Sequence, residues 1–379
     1  MKKYKILHMA SFSGNIGDNA NHTGFYKSFF DRFSDSQFIF HHDEIRKYFW
    51  NKKKFDHKLI NQFNEYDLII IGGGNFFEVW VDSSRTGTTI DIPIEYLNKI
   101  ETPIAFFSLG VDTGQGYSNE TKAKFKNYLD YLKKDKSKYY VSVRNDGAKK
   151  NLDDLFGLKY SDWINLVPDS GINISEKDLE SSKIIGKNCI GFNLAGDMIQ
   201  IRYGKNYENV LKNYGEVIRE IVQNYEKEII FFPHIPKDYE ILLDLLKYLP
   251  EEIKRTKMIV SPYQNGYKGM QNIFGLYKDC ELIVANRFHS NLCSIALEIP
   301  TIGLYNYPQI KNFYEEIDFE DRIIDINSKN FKFDFMKKFD NTVNNLLEIK
   351  KIYSAKRFEI ISKYKTGMNH FFNWIKKII

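Results

Sequence analysis

The stretch that decides the fold occupies residues 280–313 and reads CELIVANRFHSNLCSIALEIPTIGLYNYPQIKNF. Leu282 to Ala285 is a short apolar run, expected as a buried strand that stops at Asn286. The following turn presents Arg287 and His289 two residues apart, and residues 290–298 carry the helical apolar spacing of Leu292, Ile295 and Ala296. Pro300 closes that helix, and residues 301–304 read as a second strand. The carboxyl-end turn of such a β-α-β unit is where a parallel sheet delivers chemistry. A helix N-terminus beside a guanidinium and a titratable imidazole suits an anionic ligand that also needs a proton moved. The plainer alternative is that Arg287 pairs with a structural carboxylate and His289 caps the helix.

The same alternation extends outward. Upstream, strands are expected at residues 4–9, 38–41, 67–71, 104–109, 139–143 and 166–167, and residues 43–64 read as a lysine-rich helical stretch. Residues 174–187 are polar, lack an apolar period and read as an interdomain linker. Strands then recur at 189–193, 228–232 and 257–260 before the opening stretch, and residues 331–379 read as helical. The expected architecture is α/β, with two Rossmann-like domains facing across a cleft. Residues 1–173 form the N-terminal, acceptor-side domain and 188–330 the C-terminal, donor-side domain, with 331–379 as helices packing back across them.

Composition narrows the class. The chain has 379 residues, 43% of them hydrophobic and 16% aromatic, enough for two packed cores. Its 54 lysines and arginines against 49 acids leave a formal charge of +5, spread without a dense basic block, so nucleic acid is not implied. Cys189, Cys280 and Cys293 are far apart, which argues against a disulfide framework, and no histidine or acidic set has metal spacing. The N-terminal MKKYKILHMASF breaks its apolar run at His8 and reads as a first core strand rather than an export signal. No window approaches a membrane-spanning length, so a cytoplasmic protein is expected.

Other turns carry candidate ligand groups. In SFSGNIGDNANHTGF, Gly14 and Gly17 allow a tight turn with exposed amides, and Asp18, Asn19 or Asn21 can cap the helix that follows. After the Ile69-Ile70-Ile71 run, Gly72, Gly73 and Gly74 signal close backbone approach by a ligand or by a neighbouring part of the sheet, and Asn75 and Glu78 follow. Arg144, Asn145 and Asp146 end another strand, and His234 ends the strand of Phe231 and Phe232. The terminal helix carries Phe371, Phe372, Trp374, Ile375, Ile378 and Ile379 among Lys376 and Lys377, a pattern for packing against a domain or for lying on an anionic bilayer.

Taken in order, these pieces resemble the polysaccharide pyruvyl transferase family: GNIGDNA (14–20), IIIGGGNFFE (69–78), SLG (108–110), VSVRND (141–146), VPD (167–169) and ANRFHSNLCSIALEIPTIGLYNYPQI (285–310). The resemblance implies a fold like the glycosyltransferase B arrangement and transfer of a pyruvyl group from phosphoenolpyruvate onto a sugar as a ketal. It places the R-x-H pair on Arg287, holding the donor, and His289, acting as general acid, with the SVR arginine at Arg144. Catalysis is expected from His289 and Asp18, with Glu78 as the other carboxylate able to deprotonate a hydroxyl. Donor binding is expected from Arg287, Arg144, Gly17, Asn19, Gly73, Gly74, Asn75, His234 and Ser290, with no metal and no cofactor beyond the donor substrate. The chain departs from the family pattern at YNYPQIK, where Gln309 stands near the usual lysine and Lys311 is displaced, and at VDTG after SLG. Implied partners are phosphoenolpyruvate and a saccharide or lipid-linked saccharide of a capsule or exopolysaccharide precursor, at the inner face of the membrane if the terminal helix lies there. A nucleotide-sugar-dependent glycosyltransferase of the same fold is the competing reading.

Overall fold

Apolar runs without polar alternation can be buried on both faces only in a parallel sheet covered by helices on either side. The computed structural model, which describes residues 3–33, 38–50, 52–180 and 188–379, contains two such sheets. The first consists of β1 (Tyr4–Ala10), β2 (Phe38–Glu44), β3 (Leu68–Glu78), β4 (Ile104–Asp112), β5 (Tyr139–Val143) and β6 (Asn165–Leu166), in the order β2-β1-β3-β4-β5-β6. The second consists of β7 (Cys189–Asn193), β8 (Glu228–Phe231), β9 (Met258–Val260), β10 (Cys280–Ala285), β11 (Thr301–Tyr305) and β12 (Ile323–Asp325), in the order β12-β11-β10-β7-β8-β9. Every pairing is parallel. Strand order reverses between β1 and β3 in one sheet and between β7 and β10 in the other, and ligands of open α/β sheets bind at such switch points.

The chain divides into two compact units. One comprises Met1–Phe12, Phe25–Ser170 and Ile361–Ile379; the other comprises Ser13–Gly24 and Gly171–Ile360. Relative to the expected segments, the glycine turn goes with the second unit and the last part of the chain with the first. Residues 181–187 of the expected linker lie outside the described residues, while Glu176–Asp178 forms a 3-10 turn capped by Ser175.

In the first unit, Ile69, Ile71, Phe77, Phe106, Phe125 and Leu129 are buried together on one side of the sheet. Another cluster joins Phe25, Phe107 and Tyr140 to Phe371 of the helix Leu346–Ile378, with ring centroids 4.6 Å apart for Phe107 and Phe371. Phe371, Phe372, Trp374 and Ile375 are therefore buried, and Lys376 and Lys377 remain exposed. Cys189, Cys280 and Cys293 are buried free thiols. No helix among the described residues is long and apolar enough to cross a membrane.

Three local expectations change. Residues 43–64 do not form one helix: β2 runs to Glu44, and only Arg46–Phe49 and His57–Phe63 are helical, because three consecutive lysines interrupt the apolar spacing. β3 does not end at Ile71 but continues through the glycines to Glu78. β12, three residues long, stands where no strand is expected.

At Gly72 the neighbouring strand explains the missing side chain. With φ at +154°, a Cβ there would lie 2.0 Å from the Phe107 carbonyl oxygen on β4. Both strands shift register just beyond, and Ser108 sits at φ 49°, held by its hydroxyl to the Val167 carbonyl at 2.9 Å. Such irregularities redirect side chains at a strand's end, here Asn75 and Glu78.

Gly72→Ala should cost more than about 2 kcal/mol in urea denaturation. Gly116→Ala, at φ +82° with open space around its Cβ, should cost only about 1 kcal/mol. Equal losses would mean that backbone conformation alone, and not the collision with β4, requires glycine at position 72.

Candidate functional site

In the second unit, β10 ends at the switch point and hands the chain to the helix Phe288–Ala296. Asn286 fixes this turn: its amide donates to the Leu304 carbonyl at 2.8 Å and its side-chain oxygen accepts from the Ala195 amide at 3.1 Å. Arg287, extended at the helix cap, donates its backbone N–H to Asn193 Oδ1 at 3.1 Å. Its guanidinium is clamped, with Nε donating to Asp238 Oδ2 at 2.9 Å and Nη2 to Asp197 Oδ1 at 2.8 Å as well as to Asp238 Oδ1. Asp238 also accepts from the backbone N–H groups of Gly196, His234 and Ile235. Burial alone would pull the guanidinium's proton affinity down, but Asp238 and then Asp197 outweigh it and hold the group more firmly charged than usual. Burial works against the Asp197 carboxylate too, yet Arg287 and Arg202 keep its pKa below the ordinary value.

His289 lies in the first turn of that helix, nearly buried, with its ring edge-on to Phe288 at 5.1 Å. A Cβ on Gly17 would come within 2.4 Å of the His289 Cβ, Cγ and Nδ1 atoms, so only glycine fits against the imidazole. The helix Ile16–Arg32 begins there with Asn15 as its capping group, accepting from the Gly17 N–H at 3.0 Å. Asp18, Asn19 and Asn21, expected as caps, instead sit inside the helix; Asp18 and Asn19 are buried, and the Asn19 amide donates to the Asn15 carbonyl at 3.2 Å. Behind His289 runs a buried relay in which His234 Nε2 meets Tyr277 Oη at 2.8 Å and Tyr277 Oη meets Ser290 Oγ at 2.9 Å. Burial, with the charges of Arg287 and His289, drives the His234 pKa far down and keeps that ring neutral.

The first unit gathers a second polar cluster at strand ends. Buried Arg144, following β5, donates from Nε to Asp146 at 2.7 Å and from Nη1 to Asp169 at 3.3 Å. A Cβ on Gly110 would lie 2.3 Å from Asn75 Oδ1 and 3.0 Å from Arg144 Nε and Nη2, so these two side chains converge over that glycine. Asn75 Nδ2 also donates to Asp112 at 3.1 Å. Glu78 accepts a short hydrogen bond from the Thr89 hydroxyl. Burial raises its pKa to about 7; the Thr89 bond opposes this, Asp112 adds to it, and Arg46 and Arg144 oppose it.

The second unit thus brings together Gly17, His234, Arg287, His289 and Ser290, with Asp18 and Asn19 in the adjoining helical turn. Asn75 and Arg144 meet in the first. Gly73 and Gly74 lie inside β3, and Gly74 packs against the Phe76 ring rather than opening a loop. The alternative that Arg287 pairs with a structural carboxylate holds, but sequence reading named neither partner, Asp238 nor Asp197. Asp197 carried a usable signal, since it follows β7 at the switch point; Asp238, 49 positions from Arg287, carried none.

Glu78 holds its proton more tightly in the fold than in an unfolded chain, so its stabilising contribution is complete below about pH 4.5 and is lost as pH rises through 7. Glu78→Gln keeps an acceptor for Thr89 without a charge. It should melt higher than the parent at pH 8, by roughly 1–3 kcal/mol, and equally at pH 4. An unchanged difference across that range would show that the carboxyl titrates normally.

A family model described as polysaccharide pyruvyl transferase matches residues 15–307. No relative among curated proteins matches the sequence. Of solved structures, a glycosyltransferase from Rickettsia africae is similar at a TM-score of 0.60 with 11% identity, over 100% of this chain and 99% of that one. An Anabaena protein in complex with UDP and glucose is similar at 0.57 and 9% identity, over 98% and 100%. A UDP-forming trehalose-phosphate synthase from Burkholderia xenovorans is similar at 0.56 and 8% identity, over 100% and 99%. At such identities these likenesses establish the fold, two Rossmann-like domains of glycosyltransferase B type. The family match takes in most of the chain and every cluster just described, from Gly17 through Arg144 to Arg287 and His289, and the chain belongs to the polysaccharide pyruvyl transferase family.

Proposed function

We propose that this protein transfers the pyruvyl group of phosphoenolpyruvate to a saccharide of a surface-polysaccharide precursor as a ketal. The observation that carries the reading is the seating of His289 in a helical first turn against Gly17, next to a guanidinium fixed by two carboxylates, inside the matched region. Among the described residues Arg287 Nη1 makes no hydrogen bond, and it is the edge offered to the donor's carboxylate or phosphate. Arg144, already neutralised by Asp146 and Asp169, has the smaller share.

His289 gives a proton to the methylene carbon of the enolpyruvyl group, leaving C2 electron-deficient. One sugar hydroxyl oxygen bonds to C2 and gives up its proton to a carboxylate. The C2–O bond to phosphate breaks with its electron pair going to phosphate, and the second hydroxyl adds to C2. Of the two hydroxyl hydrogens, one balances the proton now in the methyl group and the other leaves with phosphate. Asp18 and Glu78 are the carboxylates available, and Glu78, tuned near 7, matches a base working near neutral pH.

With radiolabelled phosphoenolpyruvate and a saccharide panel, phosphate release should depend on the saccharide and label should move to it. His289→Ala should slow this by about 10²-fold or more. Turnover of a UDP-sugar and none of phosphoenolpyruvate would establish instead the glycosyltransferase reading, which draws on the Anabaena relative's complex with UDP and glucose. If Glu78 is the base, the rate should fall on the acid side of about pH 7, and Glu78→Gln should remove that limb along with most of the rate. A limb that survives in Glu78→Gln assigns the base to another group.

A further inference from the structure

Large exposed apolar side chains stand singly along the described chain, with one exception: Phe49 and Trp50 are adjacent and each 51% exposed. They close the short helix Arg46–Phe49, whose last turn carries Arg46 and Lys47 and which the lysines 52–54 follow in sequence. Lys47, Lys52, Lys53 and Lys54 are all exposed, and residues 46–54 contain no acid. The turn is held from within. Backbone N–H groups of Lys52 and Lys53 both donate to the Lys47 carbonyl, at 2.8 and 3.0 Å. Tyr48 points inward, stacked on Phe55 at 4.3 Å and donating to buried Asp43 at 2.6 Å. Lys53 reaches the same carboxylate at 2.5 Å, which leaves three lysines without a carboxylate partner among the described residues. Residues 46–54 thus bury one aromatic ring as an anchor and turn two others outward among cations.

Aromatic rings flanked by lysines match the chemistry of an anionic bilayer surface, where rings enter the headgroup boundary and ammonium groups meet lipid phosphates. The same residues border a groove. Phe49, Lys53 and Lys54 line a cavity of about 520 Å³ together with Asp56, Arg85, Thr89 and Asp91, where Arg85 pairs with Asp91 and Thr89 is the residue that holds Glu78. In the other basic, aromatic stretch, residues 371–379, Phe371, Phe372, Trp374 and Ile375 are buried, and the residues beside them that stay exposed include Lys376 and Lys377.

We propose that Phe49 and Trp50, ringed by Lys47, Lys52 and Lys54, dock the first unit on an anionic membrane surface, so that the adjoining groove receives a saccharide carried on a lipid phosphate. The identity of the saccharide-bound substrate rests on the function proposed above; the docking surface does not.

The full-length protein should sediment with phosphatidylcholine vesicles containing about one-third phosphatidylglycerol, and not with phosphatidylcholine alone. Binding should fall by at least about tenfold in roughly 1 M salt, where screening is short-ranged. Phe49→Ser/Trp50→Ser should weaken vesicle binding by about tenfold or more while leaving the melting temperature unchanged. Lys47→Gln/Lys52→Gln/Lys54→Gln should do the same without touching the rings. Equal binding to neutral vesicles, retained binding in the aromatic double variant, or loss caused instead by Lys376→Gln/Lys377→Gln would each overturn the assignment. Because the assay contains neither phosphoenolpyruvate nor saccharide, its failure would leave pyruvyl transfer standing, and failure of pyruvyl transfer would leave the docking surface standing.

Discussion

A buried guanidinium survives in a protein only when carboxylates and oriented dipoles replace the water it has lost, and Arg287 sets the geometry of the second unit on those terms. Asp238 and Asp197 supply the charge, and Asp238 simultaneously ties down the amides of Gly196, His234 and Ile235. Turns following β7, β8 and β10 are therefore fastened to one another by a single ion cluster. Removing one member of such a cluster leaves an uncompensated buried charge, at a cost of about 3–5 kcal/mol. His289, two residues along, inherits its position from this clamp on one side and from Gly17 on the other.

The first unit solves a similar problem differently. Arg144 is neutralised by Asp146 and Asp169, but nearby Glu78 receives its hydrogen bond from a neutral hydroxyl and feels Asp112 as a like charge. Burial then dominates, and a carboxyl emerges whose proton is held near neutrality. The acids at strand ends in this unit thus differ in kind: Asp146 and Asp169 are fixed counter-ions, and Glu78 can change its state. Structural ion pairs also perturb pKa values, but a carboxyl with a raised pKa costs the fold stability at neutral pH, and such costs persist where a function uses them.

The sheets were legible because apolar runs separated by helical spacing admit few arrangements other than parallel β-α units. The R-x-H turn was legible because it follows a strand at a switch point. Pattern failed where a residue's role depends on a distant partner. Nothing about Gly17 in sequence distinguishes a tight turn from a seat for an imidazole more than 270 positions away. The glycines of β3 pointed correctly to close backbone approach, yet Gly72 is explained by the Phe107 carbonyl, a contact that exists only once β4 lies alongside. Lysines 52 to 54 read as a solvated helix face because charge was visible and the break between Arg46–Phe49 and His57–Phe63 was not. Asn15 escaped notice as a cap because four further capping residues follow it within eight positions.

The charge census around Arg287 bears on how a strongly anionic donor would bind. Arg287 and Arg202 together are balanced by Asp238 and Asp197, so the cluster as it stands has no surplus positive charge. Arginine count alone, which the R-x-H motif invites, therefore overstates the attraction. What remains is the guanidinium edge at Nη1, the N-terminal amides of the helix Phe288–Ala296, and the imidazole within its first turn. An anion placed beside an imidazole favours the protonated ring. On the proposed reaction, delivery of the His289 proton to carbon would leave a neutral ring beside the departing phosphate. Proton delivery and release of phosphate would then be linked through one ring, the one held between Gly17 and the turn that the Arg287 clamp fixes.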